Sequence, residues 1–409
     1  ALAAVLLTSI SYGHMIRKYS SSGSAYTYVK KSNHPNAGFM VGWSSLLDCL
    51  LSPMVNILLA RIYLTDMFPE VNHWLWIIGL TMLMVAINLR GIRFVANFNS
   101  LIVFLQILII GIFTFLIYEK LAAGQNALGG IDGQTADGLW SFSPFWSEKT
   151  EVGALITGAT ILCFSFTGFD SLSSLAEETK DTKKTLPRAM FLTALISGLL
   201  FIFCTYFLQL FFPGDPSQYC KLVDETQPEI LLLVGGALFQ SVVLSFAIVT
   251  VLASGIAAHA GVSRLMYVMG RDGVLPKRFF GHISPKGYTP SYNIWLAGVV
   301  CLSAGFLSLE FVVALISFGA LTAFSFVNLS VISSYGFRDG RLKHPKDFWQ
   351  FFVLPLLGFA SIGALWLEVE ETSLKAGISW AAVGLIYLGW LTKGFRRAAP
   401  QLHEEDFER

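Results

Sequence analysis

Apolar runs of about 20 residues, the length an α-helix needs to cross a bilayer, recur along the whole chain with short polar segments between them. They predict eleven spans, at 1–16, 38–62, 73–89, 94–118, 153–178, 187–212, 229–258, 291–309, 311–334, 348–367 and 374–392. Runs of this length carry the chain across as α-helices and not as a β-barrel. The first run ends at Arg17, short of a full crossing, so the sequence is expected to start part-way into a longer protein.

Basic residues orient the spans, because cytoplasmic loops carry the excess of Lys and Arg. If the loop after the first span is cytoplasmic, all of the 28 Lys and Arg fall inside except Arg61, Lys120, Lys149, Lys221 and Lys375. That asymmetry supports the span count and puts the C-terminal tail inside. Composition agrees with the pattern: 54% apolar and 13% charged residues are values no water-soluble domain of this length needs. The net charge of +1 points to no partner. Cys49, Cys163, Cys204 and Cys301 lie in apolar runs and Cys220 in a loop, with no disulfide or metal spacing among them.

One run is interrupted. ATILCFSFTGFDSLSSLAEETKDTKKTLPR, from Ala159 to Arg188, meets Gly168 and then Asp170 in mid-run before ending in charge. An acid at that depth costs about 2.5–3.5 kcal/mol to insert, and glycine weakens the helix beside it. Such breaks persist where the freed backbone lines a cavity or is buried in protein, and broken helices build the midplane sites of secondary transporters. This span is the fifth and, like the first, enters from outside. It opens a second group of five that ends at 334. The pattern fits a five-plus-five inverted repeat if one Gly-broken span precedes Ala1. The expected organisation is a transporter core over 1–334, two accessory spans over 335–392 and a cytoplasmic tail over 393–409.

Two acids stand without a basic partner in the membrane. Asp48, in GWSSLLDCLLSPMVN, reads either as a protonated, hydrogen-bonded structural acid or as a counter-ion for an ammonium group. Ser44 and Ser52 lie one turn to either side, and Pro53 is expected to kink the helix just beyond. Asp170 either caps the amides of the resuming half-helix or faces a cation. The unwound carbonyls of Phe164, Ser165 and Thr167 beside Gly168 can take hydrogen bonds from an ammonium ion. Glu177 and Glu178 either pair with Lys183, Lys184 or Arg188 across the turn or serve an inner gate. His259, read at the cytoplasmic end of the seventh span, is expected to be an interfacial residue and not a proton carrier.

The order and density of longer motifs carry a resemblance. YSSSGSAYTYVKKSNHPNAGFMVGW, FSFTGFD followed by EET and LPRA, and SRLMYVMGRDGVLP resemble the amino acid–polyamine–organocation superfamily over essentially the whole chain. GFMVGWSSLLDCL, VANFNSL, LPRAMFLTA and FGALTAFSFVNLSV look like its bacterial, enteric-type putrescine importers. The resemblance implies an all-α polytopic protein with the leucine-transporter fold, eleven spans visible of an expected twelve. It implies that the carboxylate after GW, Asp48, faces a cationic substrate, that the carbonyls at the break hold an amine, that Phe169 closes over it from outside, and that Glu177 belongs to an inner gate. Several proton-coupled relatives carry a lysine where this chain has Gln106, which cannot titrate. The coupling candidates are therefore Asp48, Asp170, Glu177 and the Gln106 position itself. Alternatively, the membrane potential alone drives uptake.

The reading is an inner-membrane importer of putrescine or a close diamine, working by alternating access with protons, its C-terminus cytoplasmic. A diamine carries two ammonium groups and no carboxylate: Asp48 answers one cation and the break near Asp170 the other. Phe166, Phe169 and Phe318 are candidate cation–π flanks, although most of the 34 Phe are packing. The rivals are a cationic or small neutral amino acid permease or exchanger of the same fold and, from another class, a non-transporting sensor or a membrane enzyme. No nucleotide loop, zinc pattern or triad suggests catalysis, and no cofactor is implied. The 119–152 stretch is expected to be an outside loop over the mouth. GRDGVLPKRF is expected along the inner surface, with Met266 and Tyr267 dipping into lipid, and QLHEEDFER as a polar, disordered tail.

Overall fold

A computed structural model of the chain describes residues 1–90, 93–125, 141–142, 144–145, 151–177, 179–212, 226–285 and 287–400. The tail motif, Glu178, Cys220 and most of the 119–152 loop lie outside the described residues. Among those described, every regular element is helical. In chain order they are α1 (Leu2–Lys18), α2 (Ser24–Ser32), α3 (Pro35–Met67), α4 (His73–Arg90), α5 (Arg93–Ala122), α6 (Val152–Cys163) and α7 (Thr182–Phe211). Then follow α8 (Thr226–Arg271), α9 (Lys277–Phe280), α10 (Ser291–Leu302), α11 (Leu309–Val331), α12 (Pro345–Phe348), α13 (Leu354–Trp366) and α14 (Glu371–Leu391).

Nine segments among the described residues are long and apolar enough to cross a membrane, against eleven expected. The difference is one of length. α1 has 17 residues, and the α10 segment Ser291–Gly305 is an apolar helix below crossing length. Helices also outrun the apolar runs at their polar ends. α8 continues to Arg271, which leaves His259 fully buried three turns inside it and not at an interface. Met266, expected in lipid, is buried in the core with Val262 and Met269.

The chain folds as two compact units. One takes the described residues of Ala1–Gly91, Gly153–Leu195 and Ser254–Arg409. Its centre is α3 against α11, and they meet closely at Gly319. A Cβ there would lie 2.8–2.9 Å from Asp48 Cβ, Asp48 N and the Ser44 carbonyl. Close backbone approach over a small residue is how helices pack where lipid removes the hydrophobic drive. Asn328 of α11, fully buried, accepts from Ser11 Oγ at 2.6 Å and donates to Thr8 Oγ1 at 3.0 Å, tying in α1. α14 is fastened to α3 by a reciprocal pair: each indole N–H of Trp43 and Trp380 donates to the other residue's carbonyl, at 2.9 and 2.8 Å.

The other unit takes the described residues of Ile92–Val152 and Ile196–Ala253. Ile117, Phe207, Phe211, Phe212 and Val234 form its apolar centre. Within it Gly236 interrupts α8 with a φ of 76°. Gln106 is exposed on α5.

Candidate functional site

The expected break is present and tighter than a simple interruption. α6 ends at Cys163, a 3₁₀ turn covers Phe164–Phe166, Thr167 is extended (φ −61°, ψ 141°) and Gly168 has a φ of 106°. That φ belongs to glycine, and a Cβ at Gly168 would meet nothing within 4 Å, so the requirement is conformational and not one of space. The chain resumes as a 3₁₀ helix, Asp170–Leu175, and not as the α-helix the pattern predicts.

The turn uses some of the polar groups it frees. The Phe164 carbonyl accepts from Thr167 N–H at 3.0 Å and from the Thr167 hydroxyl at 2.7 Å, so it is engaged within its own segment. Gly168 N–H donates to Asp170 Oδ1 at 3.2 Å, so this carboxylate braces the break. Among the described residues no donor meets the carbonyls of Ser165 and Thr167. These two remain as acceptors.

On the other side, α3 presents Asp48, which is 6% exposed and accepts from Ser52 Oγ at 3.2 Å. Proline at 53 has no N–H for the carbonyl four residues before it, at Cys49, one residue from the acid. His34 caps this helix by accepting from Asn36 N–H at 3.2 Å, and Pro35 stands in its first turn.

These groups line one cavity of about 250 Å³. It brings together Asp48, Phe164, Ser165, Thr167, Gly168 and Asp170 of the residues expected from the sequence. It adds residues the sequence did not single out, among them Asn56 of α3, Ser171 and Ser174 past the break, Ser254 and Gly261 of α8, Ser22 before α2 and Ser24 at its start. Asn56, eight residues after Asp48 on the same helix face, carries the one periodic sign that reading could have used. Among the described residues the lining holds two carboxylates and no Lys, Arg or His.

Other expected residues lie elsewhere. Ser44 is buried at the contact with Gly319 and is not in the cavity lining. Phe169 packs against Tyr12 and Phe324, ring centroids 5.7 and 5.3 Å away. Phe166 belongs to the same core, and Phe318 sits edge-on to Trp366 at 5.2 Å. Glu177 pairs with neither Lys183, Lys184 nor Arg188. It accepts from Ser22 N–H at 3.2 Å and faces Arg271 at 3.9 Å, because the resumed helix points it toward α2 and the end of α8.

A second lock lies beside it. Buried Asp272 accepts from Tyr26 OH at 2.7 Å and pairs with Lys30, joining α2 to the end of α8. Burial, and then the Asp272 carboxylate, hold the Tyr26 phenol above its ordinary pKa.

Comparison with known proteins places this geometry. The family model described as amino acid permease matches residues 1–389. The chain is 53% identical over 404 residues to the low-affinity putrescine importer PlaP of Escherichia coli (strain K12), across 99% of this chain and 87% of that protein. More distantly, it is 26% identical over 416 residues to the methylthioribose transporter of Bacillus subtilis (strain 168), across 94% of this chain and 82% of the relative. It is also 26% identical over 404 residues to the lysine-specific permease LysP of Escherichia coli (strain K12), across 94% and 80%. The chain thus belongs to the amino acid permease family, as the resemblance of its motifs to the amino acid–polyamine–organocation superfamily implies.

Proposed function

We propose that the protein imports putrescine, or a close diamine, across the bacterial inner membrane by alternating access, its C-terminus cytoplasmic. The observation that carries this reading is the charge of the cavity: among the described residues its lining has two carboxylates, free carbonyls at Ser165 and Thr167, and no basic side chain. Two ammonium groups joined by four carbons match such a lining. An amino acid brings a carboxylate, for which these residues offer no cationic partner. The 53% identity to a putrescine importer supports the same cargo.

In this reading Asp48 is the counter-ion for one ammonium group, with Ser52 holding its second contact. The other ammonium group lies at the break, against the Ser165 and Thr167 carbonyls and the Asp170 carboxylate. Phe169 and Glu177 mark the outer and inner closures, Glu177 through its contacts with Ser22 and Arg271. Import is coupled to protons, and Asp48, Asp170 and Glu177 are the groups that can carry one, since Gln106 cannot. The protein is a carrier and not an enzyme.

The test is uptake of radiolabelled putrescine into proteoliposomes holding the full chain, with a pH gradient and a membrane potential imposed separately. Uptake driven by the pH gradient supports proton coupling. Absence of putrescine uptake under either gradient, with amino acids carried instead, overturns the assignment in favour of an amino acid permease.

A further inference from the structure

A second cavity, of about 320 Å³, lies between α1 and the first turns of α7, apart from the one described above. Its walls are Ile10, Gly13, Phe191 and Leu192, with buried His14 at its floor. α1 and α7 approach closely beside it, where a Cβ on Gly13 would stand 3.1 Å from Pro187 Cβ. Leu192 is 48% exposed, so the cleft opens sideways to the surface the helices present to lipid.

Arg17 and Arg188 both line this cleft, both are exposed, and among the described residues neither meets a carboxylate. Arg17 stands in the last turn of α1 and Arg188 next to Pro187 in α7, each where an apolar run gives way to charge. Two guanidinium groups at the rim of an apolar slot match a ligand with a phosphate at one end and a hydrocarbon at the other. Both also belong to the basic set that the charge asymmetry assigns to the inner leaflet, where basic pockets between helices take anionic headgroups.

We propose that this cleft is a binding site for an anionic phospholipid, its phosphate held between Arg17 and Arg188 and one acyl chain lying along Ile10, Phe191 and Leu192. The site is independent of the substrate cavity and of the identity of the cargo.

The experiment is native mass spectrometry of the delipidated full chain offered phosphatidylglycerol or phosphatidylcholine with identical acyl chains. Phosphatidylglycerol should be retained in preference by roughly tenfold, and R17Q/R188Q should bring the two lipids to parity. L192W, which fills the slot, should lower retention of both lipids. K343Q/K346Q removes equal charge from another exposed segment and should keep the preference. A preference that survives in R17Q/R188Q, or that K343Q/K346Q loses equally, overturns the site. Displacement of the lipid by millimolar inorganic phosphate reduces it to a free-anion site and overturns the lipid assignment. Thermal melts of each variant separate loss of the site from loss of the fold.

Discussion

Asp48 is buried on α3, where it accepts from the Ser52 hydroxyl, and among the described residues no Lys, Arg or His shares its cavity. Leaving a charge so placed is costly unless a cation arrives, which is the property a counter-ion needs. Asp48→Asn keeps the shape and removes the charge. It should weaken putrescine binding by about tenfold or more, the worth of a charge-assisted hydrogen bond, while the protein stays folded. Unchanged affinity in a well-folded variant, measured by radioligand binding in detergent, would refute the role. Both acids were legible in the sequence because an unpaired carboxylate in an apolar run is conspicuous. Apart from Ser52 and Ser165 the lining serines were not, since hydroxyls in membrane helices commonly return to a carbonyl one turn back, as Thr157, Ser245 and Ser317 do here. A serine in such a run carries no mark of the face it serves, so Ser44 read as a site residue and Ser254 went unread.

At the scale of elements, the break after α6 depends on one backbone conformation. Gly168→Ala would force a side chain to φ 106° at a cost of about 1–3 kcal/mol, with ample space around it. The strain falls on the turn that exposes the Ser165 and Thr167 carbonyls. The variant should therefore lose putrescine affinity by about tenfold or more even where its melting temperature moves little, and retained affinity would show that the turn tolerates straightening. The position of this break could be read from glycine beside an acid, but its 3₁₀ continuation could not, because that follows from Asp170 turning back to the Gly168 amide. α2 went unread as a helix for another reason: its nine residues are too few for an apolar run, and its tertiary contacts hold it. The charged one among those contacts is Lys30, with Tyr26, on Asp272. Asp272→Ala strands a buried ammonium group and should lower stability by about 3–5 kcal/mol. K30M/D272L, which removes both charges, should recover most of it in thermal melts. A double variant no more stable than the single one would mean that the pair is not the tie.

For the whole molecule, the membrane potential sets the scale of the driving force on a cationic cargo. An inward-negative potential pulls each positive charge by about 2.3 kcal/mol per 100 mV, or about 4.6 kcal/mol for a diamine with two. Every 1.4 kcal/mol is tenfold in an equilibrium ratio, so the potential alone supports an accumulation of roughly a thousandfold. The net charge moved per turnover is that of the cargo plus any protons, whichever limb of the cycle moves it. Asp48 and Asp170 decide only the limb: if they travel back empty and ionised, the return step feels the field, and if the loaded cavity is neutral, the inward step does not. Proteoliposomes given a potassium diffusion potential and equal pH on both sides should accumulate putrescine, and collapsing the potential should release it. With a pH gradient added, accumulation beyond the two-charge limit would require a proton on the same side of the balance. Accumulation indifferent to the potential would instead mean that an equal charge leaves for each diamine that enters, making the protein an exchanger of cations.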